Sequence, residues 1–158
     1  MQRGCVRFIL RAGGAAILVC LIGCATPYQQ SGFTGGYGDT PIDSNTVLVT
    51  FKGNGYTPKE VVQMYLLYRC SEVTLRDGYD YFVVTGTNID TKTGYTSAYG
   101  SGTAETQGAS TRSVVPFHKY GTEATIKMFK GQKPADLADA YDARQTIQYL
   151  NPQLGISD

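Results

Sequence analysis

The residues best suited to chemistry in this chain are Leu21-Ile22-Gly23-Cys24. A branched apolar residue, a small residue and a cysteine with this spacing are typical of a lipoprotein signal. In such a signal, a diacylglycerol is attached to the cysteine thiol and the chain is then cut just before that residue. We therefore predict that Cys24 carries a diacylglycerol and an N-acyl chain. Each buried CH₂ contributes about 0.8 kcal/mol, so these acyl chains would hold the protein in a bilayer almost permanently.

The segment before Cys24 has the composition of a secretory signal peptide. Residues 1–11 contain three arginines and no acidic residue, and residues 12–22 contain no charge. A membrane-spanning helix needs about 20 apolar residues, so a retained transmembrane anchor is the weaker alternative. We predict that residues 1–23 are removed. Because Ala25 follows the cysteine, instead of the aspartate usual in inner-membrane lipoproteins, we expect an outer-membrane protein that faces the periplasm.

Candidates for catalysis are few in the remaining chain, and no metal or other cofactor is expected. Cys70 is the only cysteine left after signal removal and lipidation, so it is either buried and inert, which we expect, or available for a disulfide bond with another chain. His118 is the only histidine, which excludes a histidine-rich zinc site. Glu72 and Arg69 lie three residues apart on a predicted helix, where such pairs are usually weak surface contacts. A hydrolase or small-ligand sensor that uses Glu72, Arg69 and His118 is therefore the alternative function.

Tyrosine is the more informative residue type, since the chain has 12 tyrosines and no tryptophan. Tyrosine on an exposed strand or Gly-rich loop can anchor a protein partner. Tyr95 and Tyr99 lie in such a segment, and Leu66 belongs to a second apolar stripe of a predicted helix. These three residues form the predicted interaction surface for an envelope protein. Signal removal leaves a formal charge of −2, so nucleic acid is not expected as a partner.

The chain is predicted to form a tether followed by one domain. Residues 24–45, rich in Gly, Thr, Gln and Pro, are predicted as a flexible tether, although their aromatic residues could dock on the domain or on a partner. Residues 46–158 form the predicted globular domain, with a low-complexity insertion at 86–113 that is either a long hairpin or a partly disordered loop. Strand patterns are found at Thr46–Lys52, Tyr79–Thr87 and Glu123–Lys130.

Two helices complete the predicted domain. The first begins with a capping box formed by Thr57 and Glu60 around Pro58, and ends at Gly78. The second opens at Pro134 and ends at Pro152. The fold class is therefore α+β, with two helices packed on one face of a mainly antiparallel sheet. On the first helix, we expect one apolar stripe to face the sheet and a second to meet the other helix or a partner. The first stripe is Val61, Met64, Tyr68, Ser71 and Leu75, and the second is Val62, Leu66, Cys70 and Val73.

Seven strings along the chain together carry a family resemblance, and they are Cys24-Ala-Thr-Pro-Tyr, Gly35-Gly-Tyr-Gly-Asp39, Phe51-Lys-Gly-Asn-Gly-Tyr-Thr57, Leu67-Tyr-Arg-Cys-Ser-Glu72, Gly78-Tyr-Asp-Tyr-Phe82, Ile126-Lys-Met-Phe-Lys-Gly-Gln-Lys-Pro134 and Tyr141-Asp-Ala-Arg144. They resemble an uncharacterised family of small Caulobacter-type bacterial lipoproteins. The resemblance implies a lipoprotein with a single domain, and small residues at the positions of Cys70 and Ser71, which favours close packing there over thiol chemistry. It implies no activity. We therefore expect a non-enzymatic binding or structural role in the cell envelope.

Overall fold

A computed structural model of the chain describes residues 25–99, 112–135 and 137–156. The strands form one antiparallel sheet in the order β1-β2-β4-β3-β5. Helix α1 packs on the sheet, and α2 packs on α1. The predicted α+β domain, with two helices on an antiparallel sheet, is confirmed. The elements are β1 Gly36–Pro41, β2 Thr46–Lys52, α1 Lys59–Arg76, β3 Tyr81–Tyr99, β4 Arg112–Phe129, β5 Ala140–Asp142 and α2 Ala143–Leu154.

The core lies between the sheet and α1. Alternate residues of β2 and β4 are buried in it, as the period of a strand requires, and they meet apolar residues of the helix. The helix stripe expected to meet α2 or a partner is part of this core, whereas Met64 of the stripe assigned to the sheet is only partly buried. The sequence could not rank the two stripes, because the helix is covered on more than one side. The most deeply buried members are Val47, Val49, Phe51, Val62, Cys70, Val73, Phe82, Ala124, Ile126 and Met128.

The predicted tether is wrong for the residues that the structure describes. Strand β1 pairs with β2 along its whole length, from Gly36 opposite Lys52 to Pro41 opposite Val47. Gly35 and Gly36 have φ of 108° and 125°, and a Cβ on Gly35 would lie 2.2 Å from the Lys52 carbonyl oxygen. The glycines therefore permit close packing of the backbone, and the domain extends to Ala25. Residues 1–24, with the predicted cleavage site and Cys24, lie outside the described residues.

Helix α1 ends as predicted but does not begin as predicted. At its C-terminus Gly78 has φ 80°, its N–H donates to the Leu75 carbonyl, and the Tyr79 N–H donates to the Thr74 carbonyl. This is the Schellman arrangement that a left-handed glycine permits. At the N-terminus Pro58 is the N-cap, without a side-chain capping bond. The predicted capping box is wrong because the Thr57 hydroxyl is used in a long-range contact described below.

The described part of segment 86–113 forms a long hairpin, which was one of the two predicted alternatives, and not a partly disordered loop. Strands β3 and β4 stay paired from Tyr81 opposite Phe129 to Tyr99 opposite Arg112, with one irregularity between Val84 and Gly86. The hairpin tip lies outside the described residues. In the outer part of the hairpin, Phe117 pairs with Gly94, where a Cβ would lie 2.4 Å from the phenylalanine ring. The ring thus covers the glycine backbone and supports this part of the hairpin.

The second helix starts later than predicted. Residues near Pro134 form turns, and β5 then pairs with β3 before α2 begins. Asp142 caps α2, since its Oδ1 accepts the Gln145 N–H at 2.9 Å. The helix passes through Pro152 and ends at Gly155, which has φ 63°. Pairing with the edge of β3 therefore prevails over the local helix-start signal at Pro134.

Replacing Gly78 should destabilise the domain through its backbone conformation alone. Gly78→Ala is expected to lower the free energy of unfolding by about 1–2 kcal/mol, because a Cβ disfavours the left-handed conformation. Gly86→Ala is the control, since neither glycine has an atom within 4 Å of a built Cβ, and only Gly78 has a positive φ. It should change the free energy by at most about 0.5 kcal/mol. Urea denaturation measures both values, and equal losses would contradict this account.

Candidate functional site

The N-terminal segment is fixed to the domain at Thr26, whose side chain is 1% exposed. Its N–H donates to Thr57 Oγ1 at 2.9 Å, and its hydroxyl donates to the Thr34 carbonyl at 2.8 Å. The same hydroxyl accepts the Asn54 N–H at 2.8 Å. We call these four residues the attachment point. The N–H and the hydroxyl of Thr26 are thereby hydrogen-bonded, so the chain cannot leave the domain surface here without losing those bonds.

Two exposed aromatic side chains, Phe33 and Tyr56, are next in the chain to Thr34 and Thr57 of the attachment point. Phe33 is fully exposed at the tip of a turn closed by paired backbone hydrogen bonds between Gly32 and Gly35, of 3.0 and 3.2 Å. Tyr56 is 74% exposed, and its N–H donates to Asn54 Oδ1 at 2.9 Å. The loops that carry Phe33 and Tyr56 are therefore both hydrogen-bonded to Thr26, the first through Thr34 and the second through Asn54 and Thr57.

An aromatic stack continues from the attachment point into the core. Tyr28 packs on Tyr37 of β1 at 4.8 Å between ring centroids, and on Tyr65 of α1 at 5.4 Å. It also meets Tyr68 edge-on at 5.0 Å, while Tyr65 lies 4.9 Å from buried Phe51. Such pairs each contribute roughly 0.5–1.5 kcal/mol beyond burial. The docking alternative for the N-terminal aromatic residues thus holds for Tyr28 and Tyr37, and not for the exposed Phe33.

Arg69 is the centre of a charge cluster that joins β1 to α1. Its guanidinium donates to Asp39 Oδ1 from two nitrogens, at 2.6 and 3.1 Å, and to Glu72 Oε2 at 2.9 Å. Its Cζ also lies 4.1 Å from the Tyr37 ring centroid. Arg76 donates to the second Asp39 oxygen at 2.7 Å. The expected weak Arg69–Glu72 surface pair is therefore part of a larger, partly buried network.

The cluster holds its groups in fixed protonation states. Burial alone would raise the pKa of Asp39, but hydrogen bonds and charge from Arg76 and Arg69 outweigh it and lower that pKa. Burial, and then the hydrogen bond to Glu72, raise the pKa of Tyr28 far above its ordinary value. Tyr28 thus remains a hydroxyl that donates to Glu72. Fixed charges and protons of this kind suit a structural role better than proton transfer.

The three residues of the alternative catalytic site do not come together. His118 lies on β4, where its Nδ1 is 3.2 Å from the Thr93 hydroxyl. Asp39, which binds Arg69, lies level with Ala124 of β4 across the sheet. His118 is six residues further along that strand, about 20 Å at the rise of a β-strand. The structure therefore joins Arg69 to Glu72 and separates His118 from both.

The remaining predicted residues differ in accessibility. Cys70 is 1% exposed, and burial raises the pKa of its thiol to about 12, in agreement with the buried position expected for it. Leu66 is 7% exposed within the core, so its assignment to an interaction surface is wrong. Tyr95 is 71% exposed. Tyr99 is the last described residue of β3 and pairs with Arg112.

Strands β3 and β4 extend past the rest of the sheet. Strand β2 pairs with β4 as far as Gly121, which faces Asp90 of β3. From Thr91 to Tyr99 these two strands form strand pairs only with each other among the described residues, over a length of about 30 Å. At the inner end, the Gly53 N–H donates to the Tyr120 carbonyl at 2.9 Å, so that carbonyl is already bonded to the domain. We call residues Thr91–Tyr99 and Arg112–Tyr120 the ribbon. Both of its outer edges carry backbone groups that a further strand could bind.

A groove of about 650 Å³ lies between the Phe33 turn, the end of β2 and the base of the ribbon. Lys52 and Lys119 line it, together with Lys92, Asp90 and Glu123. Lys92 Nζ lies 3.9 Å from Asp90 Oδ2. The groove thus combines charges of both signs with the apolar side chains of Phe33 and Ile89, and it lies beside the attachment point. Sequence reasoning missed the groove because it is formed by three segments far apart in the chain.

Within residues 25–99, 112–135 and 137–156, no three His, Cys, Asp or Glu side chains are grouped so that they could hold a metal ion. None of the helices there has the length and apolar character needed to span a bilayer. Comparison with family models, with curated proteins and with solved structures gives no match to this chain.

Removing Arg69 should test the stabilising role of the charge cluster. Arg69→Ala is expected to lower the free energy of unfolding by about 2–3 kcal/mol, because it leaves two partly buried carboxylates without their main donor. Arg144→Ala is the control, since Arg144 is 69% exposed and 3.8 Å from Asp80. It should cost less than about 1 kcal/mol. Thermal and urea unfolding measure the difference, and a loss for Arg69→Ala no larger than for the control would refute the assignment.

Proposed function

We propose that this chain is an outer-membrane lipoprotein, anchored through Cys24 and facing the periplasm, that binds another envelope protein through the ribbon. Its role is binding or structural, without catalysis. The ribbon is the single observation that carries the binding proposal, and the signal sequence is what supports the anchor. The resemblance to small bacterial lipoproteins supports the same anchor.

The ribbon has the properties of a surface that needs a partner. A two-stranded ribbon without further neighbours is marginally stable in water. Long open strand edges bind extended segments of other proteins through backbone hydrogen bonds. Charged residues protect such edges from indiscriminate pairing. Beyond Lys92 and Lys119, Arg112 is the one charged residue in the described sequence of the ribbon, which is otherwise mostly threonine, tyrosine and apolar residues. A specific protein partner would satisfy the free edge and bury these side chains.

Exposed side chains on the ribbon add to this argument. Tyr95 lies opposite Pro116 and is 71% exposed, and Val114 is 57% exposed. Tyrosine provides a large contact area at a small cost in side-chain entropy, and it is enriched at interface hot spots. The pair Tyr95 and Pro116 therefore gives the partner an apolar contact, while the strand edge supplies backbone groups.

The enzymatic alternative receives less support from the geometry. A hydrolase or sensor built on Glu72, Arg69 and His118 needs the three side chains around one substrate. His118 lies on the ribbon, whereas Arg69 and Glu72 are hydrogen-bonded to Asp39 and Tyr28. Each group is thus better explained by its local role, and binding is the function that we favour.

Lipidation should depend on Cys24 alone among the cysteines of the N-terminal region. Cells given a palmitate analogue should yield labelled protein in the outer-membrane fraction, and Cys24→Ala should remove the label. Cys20→Ala is the matched control, because Cys20 lies in the predicted signal and should leave the label unchanged. An unlabelled, soluble wild-type protein would contradict the anchor.

Crosslinking from the ribbon should capture a partner in living cells. A photoreactive amino acid in place of Tyr95 is expected to give an adduct with an envelope protein. The same substitution at Tyr149 is the matched control, since both tyrosines are 71% exposed and Tyr149 lies on α2. An adduct with the mass of two copies of this chain would indicate self-association instead. Equal adducts from both positions, or none from Tyr95, would contradict the ribbon as the binding surface.

A further inference from the structure

We propose that the lipidated domain lies directly on the bilayer, with Phe33 and Tyr56 inserted into the membrane interface next to the attachment point. This inference rests on the proposed lipidation of Cys24. It adds a second contact to the covalent anchor, namely a defined protein surface that meets the lipid headgroups and thereby fixes the orientation of the domain.

The first argument is the short length of chain between the lipid and the fold. Thr26 is buried and hydrogen-bonded through its backbone N–H and its side chain, so only the chain before it can bridge the distance from the fold to the lipid. Two residues span at most about 7 Å when fully extended, which is the greatest distance between the Cα atoms of Cys24 and Thr26. The headgroup region of each leaflet is itself roughly 5–7 Å thick. A diacylglycerol on Cys24 therefore brings the attachment point to the level of the headgroups.

The second argument is the placement of Phe33. A phenylalanine that is fully exposed has none of its ring packed on the protein. The turn that holds it is closed by hydrogen bonds between Gly32 and Gly35, and the next carbonyl, that of Thr34, accepts the Thr26 hydroxyl. Phe33 is thus held close to the attachment point by backbone bonds. Insertion into the interface would bury an apolar surface that the fold leaves in water.

The third argument is the placement of Tyr56, an exposed aromatic residue on the other loop bonded to Thr26. It lies between Asn54 and Thr57, which both hydrogen-bond to Thr26, and it is 74% exposed. Tyrosine is enriched at membrane interfaces because its ring is apolar and its hydroxyl remains hydrated. Lys52 and Lys59 are exposed nearby, together with Glu60, so the charged groups of this surface are mixed. The two aromatic rings, more than net charge, are what favours a lipid surface over other occupants.

The chain contains no tryptophan, so a single introduced tryptophan reports on its own position. We would prepare lipidated full-length mature protein as Phe33→Trp, Tyr56→Trp and Ile42→Trp. Ile42 is the matched control, because it is 59% exposed in the β1–β2 turn at the opposite end of β1. Each protein is reconstituted into phosphatidylethanolamine and phosphatidylglycerol vesicles, with and without lipids brominated near the glycerol end of the acyl chains. Intact mass of the same samples reports the acyl chains on Cys24.

The expected result is a blue-shifted emission and at least about two-fold stronger quenching for Phe33→Trp and Tyr56→Trp than for Ile42→Trp, since interfacial side chains lie about 5–10 Å into the headgroup and acyl boundary. Acylated protein with equal quenching at all three positions would overturn the inference and leave the lipid anchor intact. Samples without acyl chains would instead overturn the anchor, and with it this inference. Urea unfolding of each variant confirms that the exposed substitutions leave the fold unchanged.

Discussion

The hydroxyl of Thr26 links three parts of the chain that are distant in sequence. It donates to Thr34, accepts from Asn54, and lies beside the backbone N–H that donates to Thr57. These bonds set where the N-terminal segment meets the domain, and β1 begins ten residues later at Gly36. They also use the hydroxyl that would otherwise cap α1. The position of the segment, the edge strand and the helix start all depend on this buried threonine.

The network around Arg69 fixes the next part of the N-terminal segment, from Tyr28 to Asp39 of β1, to the domain. Tyr28 stacks against the core through Tyr65, and Arg69 lies on the Tyr37 ring while it binds Asp39 of β1. Desolvation of these groups is unfavourable, and the shared hydrogen bonds offset it. Because one arginine serves two carboxylates and a ring, loss of that side chain affects several contacts at once. The edge strand β1 is therefore fixed by side chains as well as by its pairing with β2.

Sequence patterns predicted the elements whose signals are local. The β-branched and aromatic composition of Thr46–Lys52 placed β2 at its observed bounds, and Gly78 marked the end of α1. The N-terminal segment was misjudged because glycine-rich composition is the same for a flexible chain and for closely packed backbone. Leu66 was misjudged because a helix that is apolar on two sides does not show which side faces solvent. Of the candidate site, the exposure of Tyr95 was predictable, whereas the attachment point depends on contacts 28 and 31 residues apart.

The position of the ribbon relative to the attachment point links the two proposed contacts. Gly36, Lys52, Gly121 and Asp90 form one row across the sheet, and the ribbon continues beyond it at the end where Thr26 is bound. A domain that is anchored two residues before Thr26 therefore directs its ribbon toward the membrane side. The described ribbon carries Lys92, Lys119 and several threonines, so lying along the headgroups is favoured over crossing the hydrocarbon core. A partner that pairs with the ribbon must then be accessible at the bilayer surface, which favours membrane-bound envelope proteins over freely diffusing ones.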